Sequence, residues 1–277
     1  MNENPNKTYY RESVRFAPVV PSKLAYMMKR QEEDFHFPVL GDYHLLLAHD
    51  VAEDERYTEV YCRDDDFIIM DNSMVELGMP VGPEIMSHAL RNVLCDCFVL
   101  PDVRYEMQAT VEMSKQAAQD WKSCRKMVKS DSTPFMAVPQ GKDLAEYVEC
   151  AKELAKIDGV GYFGIPRSVY NVLGTRVKLV KELQKIPFPF ATEQFIHLLG
   201  FTNSLLDDIE AAQLEGIMGI DSAVPVRVGQ KGQLIHPRMS DPGPRGDFWD
   251  REWTHLTTQT MMNVTMMRRW INRGLGA

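Results

Sequence analysis

Short apolar runs recur along the chain, each followed by a stretch with helical spacing, and this alternation restricts the fold more than any other feature. The runs are HLLLA (44–48), FIIM (67–70), FVLP (98–101), FMAV (135–138), GYFGI (161–165), FIHLLG (195–200) and IMGI (217–220). Strands that are apolar almost throughout need cover on both faces, as in a parallel sheet flanked by helices. Between them, Leu144, Val148, Ala151 and Ala155 form one helical stripe, and Leu205, Ile209 and Ala212 form another behind a Ser204-x-x-Asp207 start. Pro83 suits the first turn of a helix reaching Leu94. With 277 residues, 44% hydrophobic and 25% charged, the expected fold is a single-domain (β/α)8 TIM-like barrel over 1–277. Seven strands are legible; the eighth is either RFAPVV (15–20) or part of the segment after Arg227.

Several classes are set aside on composition. No run approaches the ~18 apolar residues of a membrane span, and the polar start MNENPNKTYYRES lacks the apolar region of a signal peptide. A cytoplasmic protein without membrane contact is therefore expected. The five cysteines, Cys62, Cys95, Cys97, Cys124 and Cys150, are odd in number and widely spaced, which suits reduced thiols better than a disulfide framework. Cys95-x-Cys97 has no second Cys/His pair at short spacing, so no metal site is expected.

The net charge of −8 argues against a chain wrapped in phosphates, but it is unevenly spread. Up to Asp221 there are 23 Lys/Arg and 35 Asp/Glu, net −12; from Ser222 onward there are 8 and 4, net +4. The candidate nucleic-acid contacts are accordingly Arg227, Lys231, Arg238 and Arg245, in a basic C-terminal segment over 222–277. Ser222 to His255 is rich in Gly, Pro and Arg and shows no clear periodicity, and a last helix is expected from Leu256 to Asn272 with Met261, Val264, Met267 and Ile271 facing inward. Phe248, Trp249 and Trp253 are expected mainly to pack that helix onto the barrel, a wedge into stacked bases being the other role open to them.

Barrel chemistry sits at the C-terminal ends of the strands. There the sequence places Asp71-Asn72-Ser73 after FIIM, Asp102 after FVLP and Pro139-Gln140-Gly141 after FMAV. Gly164 precedes Pro166-Arg167, Gly200-Phe201 follows FIHLL, and Asp221-Ser222 follows IMGI. One such Asp is often only a helix N-cap. Three carboxylates, a carboxamide and two glycines around one mouth can supply a nucleophile and an acid/base, read the edge of a polar heterocycle, and let a flat ring approach the backbone. His49 with Asp50 could line the mouth, or could be a loop histidine; His197, inside a strand, reads as structural.

At this point the residues acquire a family resemblance. MGIDSAVPVR (218–227) resembles the nucleophile segment of the guanine transglycosylases. In the family's order, IIMDNS resembles its early Asp-Ser segment, VLPD its base-reading Asp and VPQG its Val-Gln-Gly segment; GYFGIPR resembles its Gly-rich platform and HLLGF its Leu/Met-Gly turn. The resemblance covers about Asp71 to Arg227. It implies that Asp221 attacks C1′ of a guanine nucleotide, giving a covalent glycosyl-enzyme, and that a 7-deazaguanine base then attacks the same carbon. Asp71 would act as acid/base, and Asp102 and Gln140 would bind the guanine-like edge. Gly164 with Ile165, and Leu199 with Gly200, would shape floor and lid. No metal or redox cofactor is implied. The logic is that of a retaining glycosidase, in which a carboxylate divides one hard displacement into two easier ones.

The departures matter as much. Members acting on tRNA carry a zinc-binding Cys/His cluster after the nucleophile segment, and here no cysteine follows Cys150; the chain also ends at Ala277. The short form most resembles the DpdA-type DNA-guanine transglycosylases of phages and bacteria, so DNA is the expected polymer, with tRNA as the rival substrate. Arg167 stands near where family members can carry an acidic residue, which leaves open whether 7-cyano-7-deazaguanine (preQ0), its aminomethyl analogue or another base is inserted. Relatives include accessory subunits, so a non-catalytic partner subunit is the competing class, and a second copy or a partner protein is compatible with the enzyme as well. A metal-dependent hydrolase ranks last, because the strand ends offer mainly Asp.

Overall fold

The structure, a computed structural model, describes residues 13–35, 39–61, 65–122, 133–187, 193–239, 248–249 and 251–274. Eight strands alternate with helices: β1 (Arg15–Pro18), β2 (Tyr43–Leu47), β3 (Phe67–Asp71), β4 (Cys97–Val99), β5 (Phe135–Ala137), β6 (Val160–Pro166), β7 (Ile196–Leu199) and β8 (Ile217–Ser222). All are parallel and run in the order β1-β8-β7-β6-β5-β4-β3-β2. β1 and β2, at the two ends of that order, lie side by side. The sheet is thus a nearly closed (β/α)8 TIM-like barrel, with each of the seven apolar runs forming a strand.

The eighth strand is the N-terminal candidate. Phe16 pairs with Ile220 and Ala17 with Asp221, so β1 supports the strand that carries Asp221. Only four residues long and ending in Pro18, it carries too little pattern to be chosen from sequence alone. Its neighbour β8 is shaped by a glycine: any Cβ at Gly219 would collide with the ring of Tyr43, which reaches across the barrel interior from β2. The interior is filled by side chains, as a packed core requires.

The helices start where local chemistry directs. Asp143 caps the helix Leu144–Leu154, accepting from the Glu146 N–H at 2.9 Å, and Ser204 caps Leu205–Ala212 by accepting from the Asp207 N–H at 3.3 Å; each cap satisfies a donor the helix leaves open. Pro83 occupies the first turn of Pro83–Asn92. Behind β7, Arg176 is fully buried; it donates to the Leu199 carbonyl and, at 3.3 Å, to Oδ1 of Asp208, whose Oδ2 accepts from the Thr202 N–H at 3.0 Å. This ionic knot fixes the turn between β7 and the following helix.

The segment after Asp221 is more ordered than its composition suggests. Val224–Gln230 is a helix, and every residue from Val224 to Gly229 is buried, Arg227 included. A helix covered on all sides shows no polar face, so no helical stripe exists to be read. It packs closely on Thr258–Arg273: a Cβ at Gly229 would strike the Thr260 backbone, and the Asn263 amide donates to the carbonyls of Pro225 and Gln233, each at 3.0 Å. The last helix buries Val264, Met267 and Ile271 as expected, while Met261 is half-buried. Phe248 and Trp253 are buried edge to face, and the Trp253 Nε1–H donates to the Phe248 carbonyl at 3.0 Å. Packing is thus the role of these two aromatics.

Cys95, Cys97 and Cys150 are buried free thiols, while Cys62, Cys124 and Arg245 lie outside the described residues. Among the described residues, no helix is long and apolar enough to cross a membrane.

Candidate active site

At the end of β3 the chain turns sharply. Ser73 adopts a left-handed φ of 59°, the Asp71 Oδ2 accepts from its N–H at 2.8 Å, and the Asn72 Oδ1 accepts from the Met74 N–H at 2.8 Å. The Asn72 amide then donates to the Val99 carbonyl at 3.2 Å, tying the turn to β4. The turn presents the other side of the Asp71 carboxyl to the mouth. Burial pushes the pKa of that carboxyl up to about 8, and the charges of Glu76, Asp221 and Asp102 push the same way, against the Ser73 N–H. Asp71 is therefore mostly a neutral acid at pH 7, which a general acid requires.

Asp102, after β4, is pushed up to about 6 by burial, opposed by a hydrogen bond from the Gln140 amide. Gln140 is itself buried, and its Oε1 accepts from the Tyr105 N–H at 3.1 Å and the Ser168 hydroxyl at 3.5 Å. Both ends of the carboxamide are committed to protein partners. Gln140 thus stands behind Asp102 and orients it, whereas the sequence suggested that it would read a ligand edge directly.

Asp221 is built differently. Its Oδ1 accepts two hydrogen bonds, from the Gly200 N–H at 2.8 Å and from His197 Nε2 at 3.0 Å. Gly200 has φ +62°, a conformation that costs a glycine nothing and turns its N–H onto Asp221. Its part in the site is thus that of a backbone donor to Asp221. His197, which the sequence reads as structural, touches the site: its ring contacts the Asp221 carboxylate. Strand parity is the signal that could have found it: His197 and Leu199 lie two residues apart on one strand and share a face, and Leu199 was already a site candidate.

Asp71, Asp102, Leu199, Gly200 and Asp221 line one cavity of about 170 Å³, together with Glu76, Arg167 and Arg227. Drug-sized ligands occupy roughly 300–1,000 Å³, so this space suits a single heterocycle. Gly164 lies just beneath: a Cβ there would come within 2.7 Å of Leu199 Cδ1 and 3.1 Å of Met136 Sδ, so the Leu199 side chain lies over the glycine. Ile165 is buried on the opposite face of β6 from Gly164 and Pro166 and does not line the cavity. Of the basic candidates, Arg227 lines the cavity, while Lys231 and Arg238 are exposed farther along the chain. His49 pairs with Asp50, Nε2 to Oδ1 at 3.2 Å, and Asp50 lines a separate cleft with Asp54, Trp249 and Arg251.

Among the described residues, no cluster of three or more His, Cys, Asp or Glu side chains is placed to hold a metal ion. Fold and site together define a (β/α)8 barrel with carboxylates from three strand ends facing one small cavity. No protein-family model matches the chain, and no curated protein matches it either.

Proposed function

We propose that this protein is a base-exchange transglycosylase that replaces guanine in DNA with a 7-deazaguanine base. The observation that carries the reading is the pairing of Asp71, a carboxyl held near pKa 8, with Asp221, a carboxyl oriented by two N–H donors, on one heterocycle-sized cavity. Two carboxyl groups in unlike environments facing one ligand are the usual arrangement of an acid and a nucleophile.

In the first step a carboxylate oxygen of Asp221 bonds to C1′ of the nucleotide, the C1′–N9 bond breaks, and Asp71 gives its proton to the departing base. In the second, the Asp71 carboxylate takes the N9 proton of the incoming base. That nitrogen attacks C1′, and the Asp221 carboxylate leaves. Two inversions give net retention, and Asp71 ends protonated, ready for another cycle. Asp102, oriented by Gln140, faces the donors of a guanine-like edge, and Leu199 over Gly164 offers an apolar surface for its ring. DNA is favoured as the polymer by the basic residues after Asp221. A base stacked in a duplex must be flipped out to reach this cavity.

The test is to incubate the protein with duplex DNA or unmodified tRNA and radiolabelled guanine, then chase with unlabelled preQ0, with Asp221→Ala alongside. Label entering DNA and chased from it, dependent on Asp221, is the expected result. Label entering tRNA alone would move the same chemistry to the other polymer. No label in either would favour a partner subunit, and uptake that survives Asp221→Ala would remove Asp221 as nucleophile.

A further inference from the structure

We propose that Tyr43 and His197 form a positioning relay that ties down Oδ1 of Asp221 and leaves Oδ2 as the oxygen that attacks the sugar carbon. The inference rests on the transglycosylase reading and adds to it the identity of the attacking atom and of two residues, neither of which lines the cavity.

His197 is fully buried, and both ring nitrogens have protein partners: Nδ1 faces the Tyr43 hydroxyl at 2.7 Å and Nε2 faces Asp221 Oδ1 at 3.0 Å. A neutral imidazole has one donor and one acceptor, and an ionised carboxylate only accepts. For a neutral imidazole beside an ionised carboxylate, the proton belongs on Nε2, and Nδ1 accepts from the Tyr43 hydroxyl. Tyr43 suits the donor's part because burial raises its pKa well above the ordinary phenol value, keeping the proton in place. The Arg15 guanidinium lies 4.5 Å from the centre of its ring, and Gly219 leaves the space the ring occupies. The order Arg15, Tyr43, His197, Asp221 thus runs through the barrel interior to the mouth.

The consequence falls on the carboxylate. Oδ1 holds two donors, His197 Nε2–H and Gly200 N–H, whereas among the described residues Oδ2 accepts no hydrogen bond. When Oδ2 bonds to C1′ as the C1′–N9 bond breaks, Oδ1 becomes the ester carbonyl and keeps both donors. When the incoming nitrogen displaces that ester, negative charge returns to Asp221 partly on Oδ1, where two fixed dipoles already point. A carboxylate free to rotate would lose both the aim and this stabilisation.

The experiment has two arms. In the first, which needs no substrate, nitrogen-15 NMR reads the tautomer of His197 in the intact protein. A proton on Nε2 is expected, and a proton on Nδ1 would overturn the relay. In the second, His197→Ala, His197→Gln, Tyr43→Phe and Asp221→Ala are compared in base exchange. His197→Ala is expected to lower kcat by ~10–100-fold with KM for the base nearly unchanged. A Gln at 197 can still donate to Asp221 and accept from Tyr43, so His197→Gln should recover most of that loss. Tyr43→Phe should cost less than His197→Ala, because His197 keeps its bond to Asp221 and loses only the partner of Nδ1. If His197→Ala fails to fold, Tyr43→Phe and the tautomer carry the test. Full kcat in either variant, with Asp221→Ala inactive, would overturn the relay and leave the transglycosylase reading standing. Activity in Asp221→Ala would overturn the reading itself.

Discussion

The two sides of the mouth hold their carboxyl groups in opposite ways. On the β3 side, Asp71 has one N–H partner, from Ser73, and is surrounded by burial and the charges of Glu76, Asp221 and Asp102, so its proton stays on to about pH 8. On the β7–β8 side, Asp221 has two donors on one oxygen, one from a backbone glycine and one from a buried imidazole. The rims differ too: Val75, Leu77 and Met79 are exposed beside Asp71, whereas Arg227 stands beside Asp221, with Lys231 and Arg238 exposed beyond it. Under the proposed function, one side would keep a proton near a leaving base and the other would aim an oxygen. A single residue type at two strand ends can serve as both acid and nucleophile only because the surroundings are unlike.

The strongest way to break this contrast is to remove the aimed oxygen. Asp221→Ala should lower base exchange by ~10³-fold or more, since the covalent route is lost and only binding and the remaining polar groups are left. Mass spectrometry of quenched wild-type reactions should show a glycosylated peptide containing residue 221. Exchange with an adduct on Asp71 instead would reverse the two roles.

Next in size is Asp71→Asn, which keeps the shape and removes the transferable proton. A loss of ~10²–10⁴-fold is expected. The wild-type rate should fall as pH rises through about 8, where the acid ionises, and that limb should be absent from the residual activity of the variant. Stability moves the same way. A carboxyl raised from ~3.9 in the unfolded chain to about 8 in the fold contributes stability that is complete below the lower value and is lost as pH climbs through the higher one. Asp71→Asn escapes that loss. Thermal melts of the two proteins should agree below about pH 4, and the variant should melt higher at pH 9, at ~2–4 °C for each kcal/mol recovered. A wild-type melting curve that does not decline relative to the variant would mean that Asp71 is ionised in the folded protein.

A smaller effect tests the floor between the two sides. At Gly164→Ala the new methyl would sit 2.7 Å from Leu199 Cδ1 and 3.1 Å from Met136 Sδ. The flexible end of Leu199 can yield, but only toward the cavity. KM for the incoming base should rise by ~10-fold, for about 1.4 kcal/mol of lost binding, with kcat less affected. An equal fall in kcat at constant KM would mean that Leu199 and Gly164 serve the reacting atoms and not the ring.

How much of this was legible beforehand follows from what each part must bury. The seven apolar runs were readable because strands covered on both faces are apolar throughout, and Asp71, Asp102, Gly200 and Asp221 were readable because they follow those runs at the mouth, whereas Leu199 came only from the family resemblance. β1 was ambiguous because four residues ending in proline carry little pattern. Val224–Gln230 was missed as a helix because it is buried all round, and a helical stripe needs a polar face to stand against. Gln140 was located, but its bond to Asp102 was not: sequence order says which strand end a residue occupies, and not that its amide reaches the carboxylate of the next strand. His197 was hidden by its place inside a strand, where histidine is usually packing, although its parity with Leu199 pointed inward.

The smallest effect concerns whether the contrast between rims extends to the polymer. If the phosphate backbone lies on the β8 side, Lys231→Ala and Arg238→Ala should each weaken DNA binding a few-fold, about equally for all sequences, and leave the exchange step alone once DNA is saturating. Each phosphate contact releases condensed counterions, so losing one should reduce the slope of log K against log salt by about 1. Val75→Ala, on the apolar β3 rim, carries no charge away and should leave that slope unchanged, which makes it the matched control. Both lysine and arginine side chains are exposed, so the substitutions should cost the fold little. An unchanged slope in both basic variants would place the backbone elsewhere, and the net charge of +4 after Asp221 would then be only a solvated surface. A reduced slope in one alone would mark which of the two lies on the track of the strand. The buried Arg227 sits on the cavity itself, so its replacement should change binding and exchange together and cannot stand in for either.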